Sequence, residues 1–176
     1  MTQEKQELQE LYRYGYKLLA LQASNLAVAI AIGLAFSCLL EMVLFLAAFI
    51  PLRSYAGGYH AEGPVRCSII SAALELAVAG ILRIPASAGL LHALLLVTAL
   101  CEIIIYMTVP VAAKNKPLTD SQMVCFRKKA RSILGVEAVI MIVMYLTGFQ
   151  RILPVIAMSH IFVAVLLLAV KAEKGK

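Results

Sequence analysis

Gly89-Leu-Leu-His-Ala-Leu-Leu-Leu-Val-Thr-Ala-Leu-Cys-Glu-Ile-Ile-Ile-Tyr-Met-Thr-Val109 is almost unbroken hydrocarbon, with His92 and Glu102 its only strongly polar side chains. A run of this length matches the roughly 17–25 residues that a helix needs to cross a bilayer. It extends to residue 113, and similar runs occupy 18–36, 38–52, 68–84, 132–149 and 152–170. These are too many for one water-soluble core. The chain is 62% hydrophobic and its mean hydropathy is +0.88, whereas soluble domains are usually about 45–50% apolar. The sequence therefore predicts an all-α integral membrane helical bundle, one domain over residues 1–176, with about six transmembrane helices.

Residues 18–52 would reach about 52 Å as one helix, too long for a single crossing. Ser37, with Gly33 just upstream, is the expected turn between two short spans. Ahead of them, Leu8, Leu11, Tyr12, Leu18 and Leu19 recur near helical spacing among Glu4, Lys5, Glu7, Glu10, Arg13 and Lys17. This predicts an N-terminal amphipathic helix, either lying in the headgroup plane over residues 1–17 or extending the first span. Pro51 closes the second run, and Pro85 with Gly89 marks a tight turn. Pro110 and Pro117 bracket the start of a basic loop over 110–131. Ala77, Ala79 and Gly80 allow close helix packing, within one chain or between two. The charged first seventeen residues do not read as a cleavable signal peptide.

The net charge of +6 matters less than its distribution. Lys114, Lys116, Arg127, Lys128, Lys129 and Arg131 fall in one connection; Lys171, Lys174 and Lys176 end the sequence. Lys5, Arg13 and Lys17 precede the first span, and Arg53 and Arg66 flank the connection between the second and third. Only Arg83 and Arg151 fall in the turns that six spans would place on the other side. Basic segments stay cytoplasmic, so both termini and the 53–67 connection are expected there, in a multi-pass bacterial cell-membrane protein. Spans separate the basic residues, which argues against a nucleic-acid partner.

That 53–67 connection, Arg53-Ser-Tyr-Ala-Gly-Gly-Tyr-His60-Ala-Glu-Gly-Pro-Val-Arg-Cys67, carries the chemistry. It combines an imidazole, a thiol, two guanidiniums and three glycines. A thiol nucleophile with an imidazole base fits this set. On one helix His60 and Cys67 would stand about 10 Å apart, so a working dyad needs the chain to turn back between them. Gly63-Pro64 supplies the break, and Pro64 suits the first turn of the following helix. Cys67 would then sit at a helix N-terminus, with Arg53 and Arg66 nearby, and both features favour thiolate. Cys38 and Cys101 read as small hydrophobes in apolar runs, and Cys125 as a bystander. Glu75 reads as a bundle-interior carboxyl, and Glu41, Glu102, Glu137, His92 and His160, in or near apolar runs, read as helix–helix hydrogen bonders. No cofactor is implied, and His60 with Cys67 alone lacks the ligand complement of a metal site.

Arg53, Gly57-Gly58, His60-Ala61 and Cys67 at this spacing resemble the AgrB family, membrane-embedded cysteine endopeptidases of bacterial peptide signalling. Val109-Pro110-Val111 followed by Lys114-Asn115-Lys116-Pro117-Leu118 is similar to the family's proline-bounded basic loop. The resemblance covers most of the chain. It implies quorum-sensing chemistry: cleavage of a short AgrD-like precursor near its acidic C-terminal part, and closure of a thiolactone or lactone ring. It implies Cys67 as nucleophile, His60 as general base, and Arg53, Gly57 and Gly58 as supporting residues. Lys114, Lys116, Arg127, Lys128, Lys129 and Arg131 would attract the precursor's acidic tail. The family leans towards a homodimer. The rival readings are a peptide exporter, with intramembrane glutamates lining a path, and a membrane protein that binds a peptide without cutting it.

Overall fold

The computed structural model describes residues 3–57, 64–84, 87–111, 119–149 and 151–174. Six helices account for nearly all of them: α1 (Gln3–Ala35), α2 (Leu39–Ala56), α3 (Pro64–Ile81), α4 (Ala88–Thr108), α5 (Asp120–Leu146) and α6 (Leu153–Lys174). Among the described residues α2, α4 and the Leu153–Ala172 part of α6 are long and apolar enough to span a bilayer. Leu19–Ala35 and Cys67–Ile81 are shorter apolar helices. The expected all-α membrane bundle is thus present, with fewer full-length spans than the six apolar runs implied.

Helix α1 does not divide into a surface helix and a span. It runs unbroken for 33 residues, about 50 Å. The reason is local: Lys17-Leu-Leu-Ala-Leu-Gln-Ala23 are good helix formers, and no proline interrupts them. The break comes at Ser37, as expected, with a left-handed φ of 51°. There the Cys38 amide donates to Gly33 O at 2.8 Å. A Cβ on Gly33 would stand 3.0 Å from Leu39 Cα, so glycine lets α2 begin packed against the last turn of α1.

Helix α6 lies at the centre. It packs chiefly on α4 and α2, while α2 also meets α5 and α1, and α1 meets α3. One core joins Leu52 and Ala56 of α2, Ile105 of α4, Leu134 of α5, and Val163 and Leu167 of α6. A second joins Met42 and Phe45 to Val78, Ala79, Val155 and Met158. Ala79 of the small-residue stripe is buried in that packing, whereas Ala77 and Gly80 face outward. On α4, Leu96, Leu100, Ile103 and Met107 form an exposed stripe. So large an apolar face is stable against lipid rather than water.

Several polar groups of the apolar runs are paired with groups remote in sequence. His160 of α6 is fully buried; its Nδ1 stands 3.0 Å from Glu102 Oε1 of α4, and its Nε2 stands 2.8 Å from Glu137 Oε2 of α5. His92 Nε2 meets Tyr145 Oη at 3.2 Å. Arg151 grips Glu41 Oε1 through Nε at 2.9 Å and Nη2 at 2.6 Å. Glu75 is a bundle-interior carboxyl, as expected, and its Oε2 has no hydrogen-bond partner among the described residues. Glu102, Glu137, His92 and His160 therefore serve helix–helix contact, as the sequence predicted of them, whereas Glu41 meets Arg151 in the turn before α6.

Contacts at the helix ends show that neighbouring helices alternate in direction. Gly57, just past α2, bridges to Val111, just past α4. Tyr55 near the end of α2 meets Phe126 in the first turns of α5. At the opposite end Arg83 reaches Phe36, and Arg151 reaches Glu41. The two sequence motifs therefore share one end of the bundle.

Candidate active site

Helix α3 begins at Pro64, where proline's missing N–H costs no helical hydrogen bond. Cys67 is therefore in the first turn, where the helix carries partial positive charge, as the sequence predicted. Its side chain is half-buried. Arg53, in the last turn of α2, lies within Coulombic range of Cys67. Arg53 is itself held, its Nη1 donating to the carbonyl of Gly57. The cation thus closes the end of its own helix.

Gly57 is fixed by geometry. Its φ is +76°. A Cβ there would lie 3.0 Å from Val111 C and closer still to that residue's carbonyl oxygen. The Val111 amide donates to Ala56 O at 3.0 Å, so the α2 end and the segment after α4 are stitched together. The Val109–Pro110 peptide that leads into this stitch is cis. The 53–67 connection and the proline-bounded basic segment are consequently anchored to each other at their first residues. Sequence reading placed them on one side of the membrane; it did not find this junction.

His60 and Gly58 lie outside the described residues, as do Lys114, Lys116, Pro85 and Pro117, and so does the side chain of Arg66. The remaining basic candidates are placed differently from expectation. Arg127, Lys128, Lys129 and Arg131 are on a helix, not in a loop. Thr119 caps α5: its Oγ1 accepts from the Gln122 amide at 3.4 Å, and its own amide donates to Gln122 Oε1 at 3.1 Å. That reciprocal pair starts the helix at Asp120, ahead of the cations.

Two of the four cations have intramolecular tasks. Lys129 Nζ stands 5.0 Å over the Tyr55 ring, which packs edge-on to Phe126 at 5.6 Å between centroids. Arg131 stacks 4.1 Å over the Tyr106 ring and donates to Tyr106 O at 3.0 and 3.2 Å. It thereby satisfies a carbonyl in the last turn of α4. Arg127 and Lys128 are exposed and have no hydrogen-bond or ion-pair partner among the described residues. They are free to meet an acidic partner at the end of the bundle that holds Cys67.

The other thiols are placed apart. Cys38 is buried at the opposite end, Cys101 is half-buried within α4, and Cys125 is exposed on α5. None of the four cysteines is in a disulfide.

A family model described as Accessory gene regulator B matches residues 1–168. The chain is also 28% identical over 167 residues to the AgrB-like protein 2 of Clostridium perfringens (strain 13 / Type A), an alignment covering 89% of this chain and 77% of that protein. No solved structure matches.

Proposed function

This chain belongs to the Accessory gene regulator B family, and from that membership we propose that it is a membrane-embedded cysteine endopeptidase acting on an AgrD-like precursor. The observation that best supports the reading is Cys67 in the first turn of α3, within Coulombic range of Arg53. A cation in that neighbourhood suits a sulfur nucleophile. The first turn of α3 adds backbone dipoles of the same sign.

In this reading the Cys67 thiolate attacks the carbonyl carbon of the scissile peptide, and the oxyanion forms on the carbonyl oxygen. His60 passes a proton to the leaving amine, the C–N bond breaks, and the acidic C-terminal fragment departs. The remaining peptide is held on Cys67 as a thioester. Attack by the peptide's own thiolate exchanges one thioester for another, frees Cys67 and closes the ring. Attack by water yields the linear acid instead. Arg53, Gly57 and Gly58 hold the loop, while Arg127 and Lys128, with Lys114 and Lys116, receive the precursor's acidic tail. The active end faces the cytoplasm, where basic segments are retained. A homodimer belongs to the same reading, with Ala77 and Gly80 outward on α3.

The test is co-expression with an AgrD-like precursor, read by mass spectrometry. Wild type should release the C-terminal fragment, whereas Cys67→Ala and His60→Ala should leave the precursor mass unchanged while remaining in the membrane fraction. Cleavage by either variant would remove the dyad, and an uncut precursor with wild type would leave a binder or exporter.

A further inference from the structure

The two basic residues that charge distribution separates from all the others, Arg83 and Arg151, line one cavity. It has a volume of about 530 Å³ and lies at the end of the bundle away from Cys67. Its walls are mostly hydrocarbon, with Phe36, Leu82, Leu90, Leu91, Leu94 and Pro154 around it. Its charged groups are Arg83, Arg151 and Glu41, with the Ser37 hydroxyl and the Cys38 thiol beside them.

The charges do not cancel. Arg151 is spent on Glu41, which it binds through two nitrogens. Arg83 is oriented rather than neutralised: its Nε and Nη2 donate to Phe36 O at 3.2 and 2.7 Å, and its guanidinium stacks on the Phe36 ring at 5.7 Å. Among the described residues no carboxylate pairs with it. A cavity of drug-ligand size with hydrocarbon walls and one uncompensated, pre-positioned guanidinium suits an amphiphile bearing a single negative charge. Leu90 and Ile84 at its lining are exposed, so the cavity is continuous with the lipid-facing surface. A soluble phosphate would leave the apolar walls unfilled.

We infer that this cavity binds an anionic phospholipid, with the phosphate on Arg83 and an acyl chain against Leu90 and Leu94. The site is separate from peptide cleavage, and its test does not use the precursor. The chain contains no tryptophan, so one introduced tryptophan is a clean reporter. Leu90→Trp and, independently, Leu94→Trp place it in the cavity, and Leu96→Trp on the open lipid face serves as control. Each full-length variant is reconstituted in phosphatidylcholine vesicles doped with brominated phosphatidylglycerol or brominated phosphatidylcholine, whose bromine quenches nearby indole.

The cavity reporters should show about fivefold preference for the anionic lipid, the effect of one basic contact near a membrane surface, and Leu96→Trp should show none. Arg83→Gln should remove the preference and Arg83→Lys keep most of it. Equal quenching by both lipids, the same preference at Leu96→Trp, or preference surviving Arg83→Gln would each overturn the assignment. So would full relief of quenching by millimolar inorganic phosphate, which would identify a phosphate site and not a lipid site.

Discussion

At the residue scale, Cys67 combines partial exposure with the first turn of a helix and the range of the Arg53 guanidinium, whereas Cys38, also at a helix start and within range of Arg83, is buried. If Cys67 is the nucleophile, a variant with Cys38, Cys101 and Cys125 all replaced by alanine should keep cleavage and lose it on iodoacetamide treatment. Cys67→Ala should lower cleavage by at least about a thousandfold, measured as released fragment per unit protein. Gly57 is a second strict position. Gly57→Ala must both adopt a left-handed φ, at about 1–2 kcal/mol, and push Val111 away. We expect cleavage to fall sharply while the helix content by circular dichroism stays near wild type. The helix start at Pro64 and the placement of Cys67 in its first turn were readable, because proline acts locally. The need for glycine at 57 was not, because the atom that excludes a side chain belongs to Val111, remote in sequence.

At the element scale, α1 and α5 show what charge patterning conceals. The cations at 127–131 read as a loop because they interrupt an apolar run, yet Thr119-Asp-Ser-Gln122 is a capping box printed in the sequence. Hydropathy outweighed a local start signal. Helix α1 takes the second of the two forms open to it, an extension of the first span, because no residue at the change from amphipathic to apolar composition breaks a helix. Thr119→Ala should destabilise the protein by about 1 kcal/mol, seen as a lower melting midpoint in detergent. Arg127→Gln with Lys128→Gln should raise KM for an acidic-tailed precursor several-fold with kcat little changed. The wild-type KM should approach the variant's as salt rises, because exposed charges are screened. Lys129→Gln should instead act on stability, since that ammonium already sits over Tyr55.

Across the whole molecule, sequence reading recovered the class of fold. It did not recover which acid meets which base. Glu102, Glu137 and His160 were each recognisable as costly in a membrane, but their convergence depends on α4, α5 and α6 packing at one depth. His160→Ala should destabilise the bundle by about 3–5 kcal/mol, the usual result of stripping one member from a buried charged pair, and denaturant titration in micelles would measure it. The bridge from Gly57 to Val111 has a temporal consequence as well. A ribosome that has delivered only the first three helices has made Cys67 and the glycines around it, but the strap that fastens Gly57 is still unsynthesised. A nascent chain therefore carries its thiol early and its anchored loop late, and truncation between residues 67 and 111 would yield the sulfur without the mount.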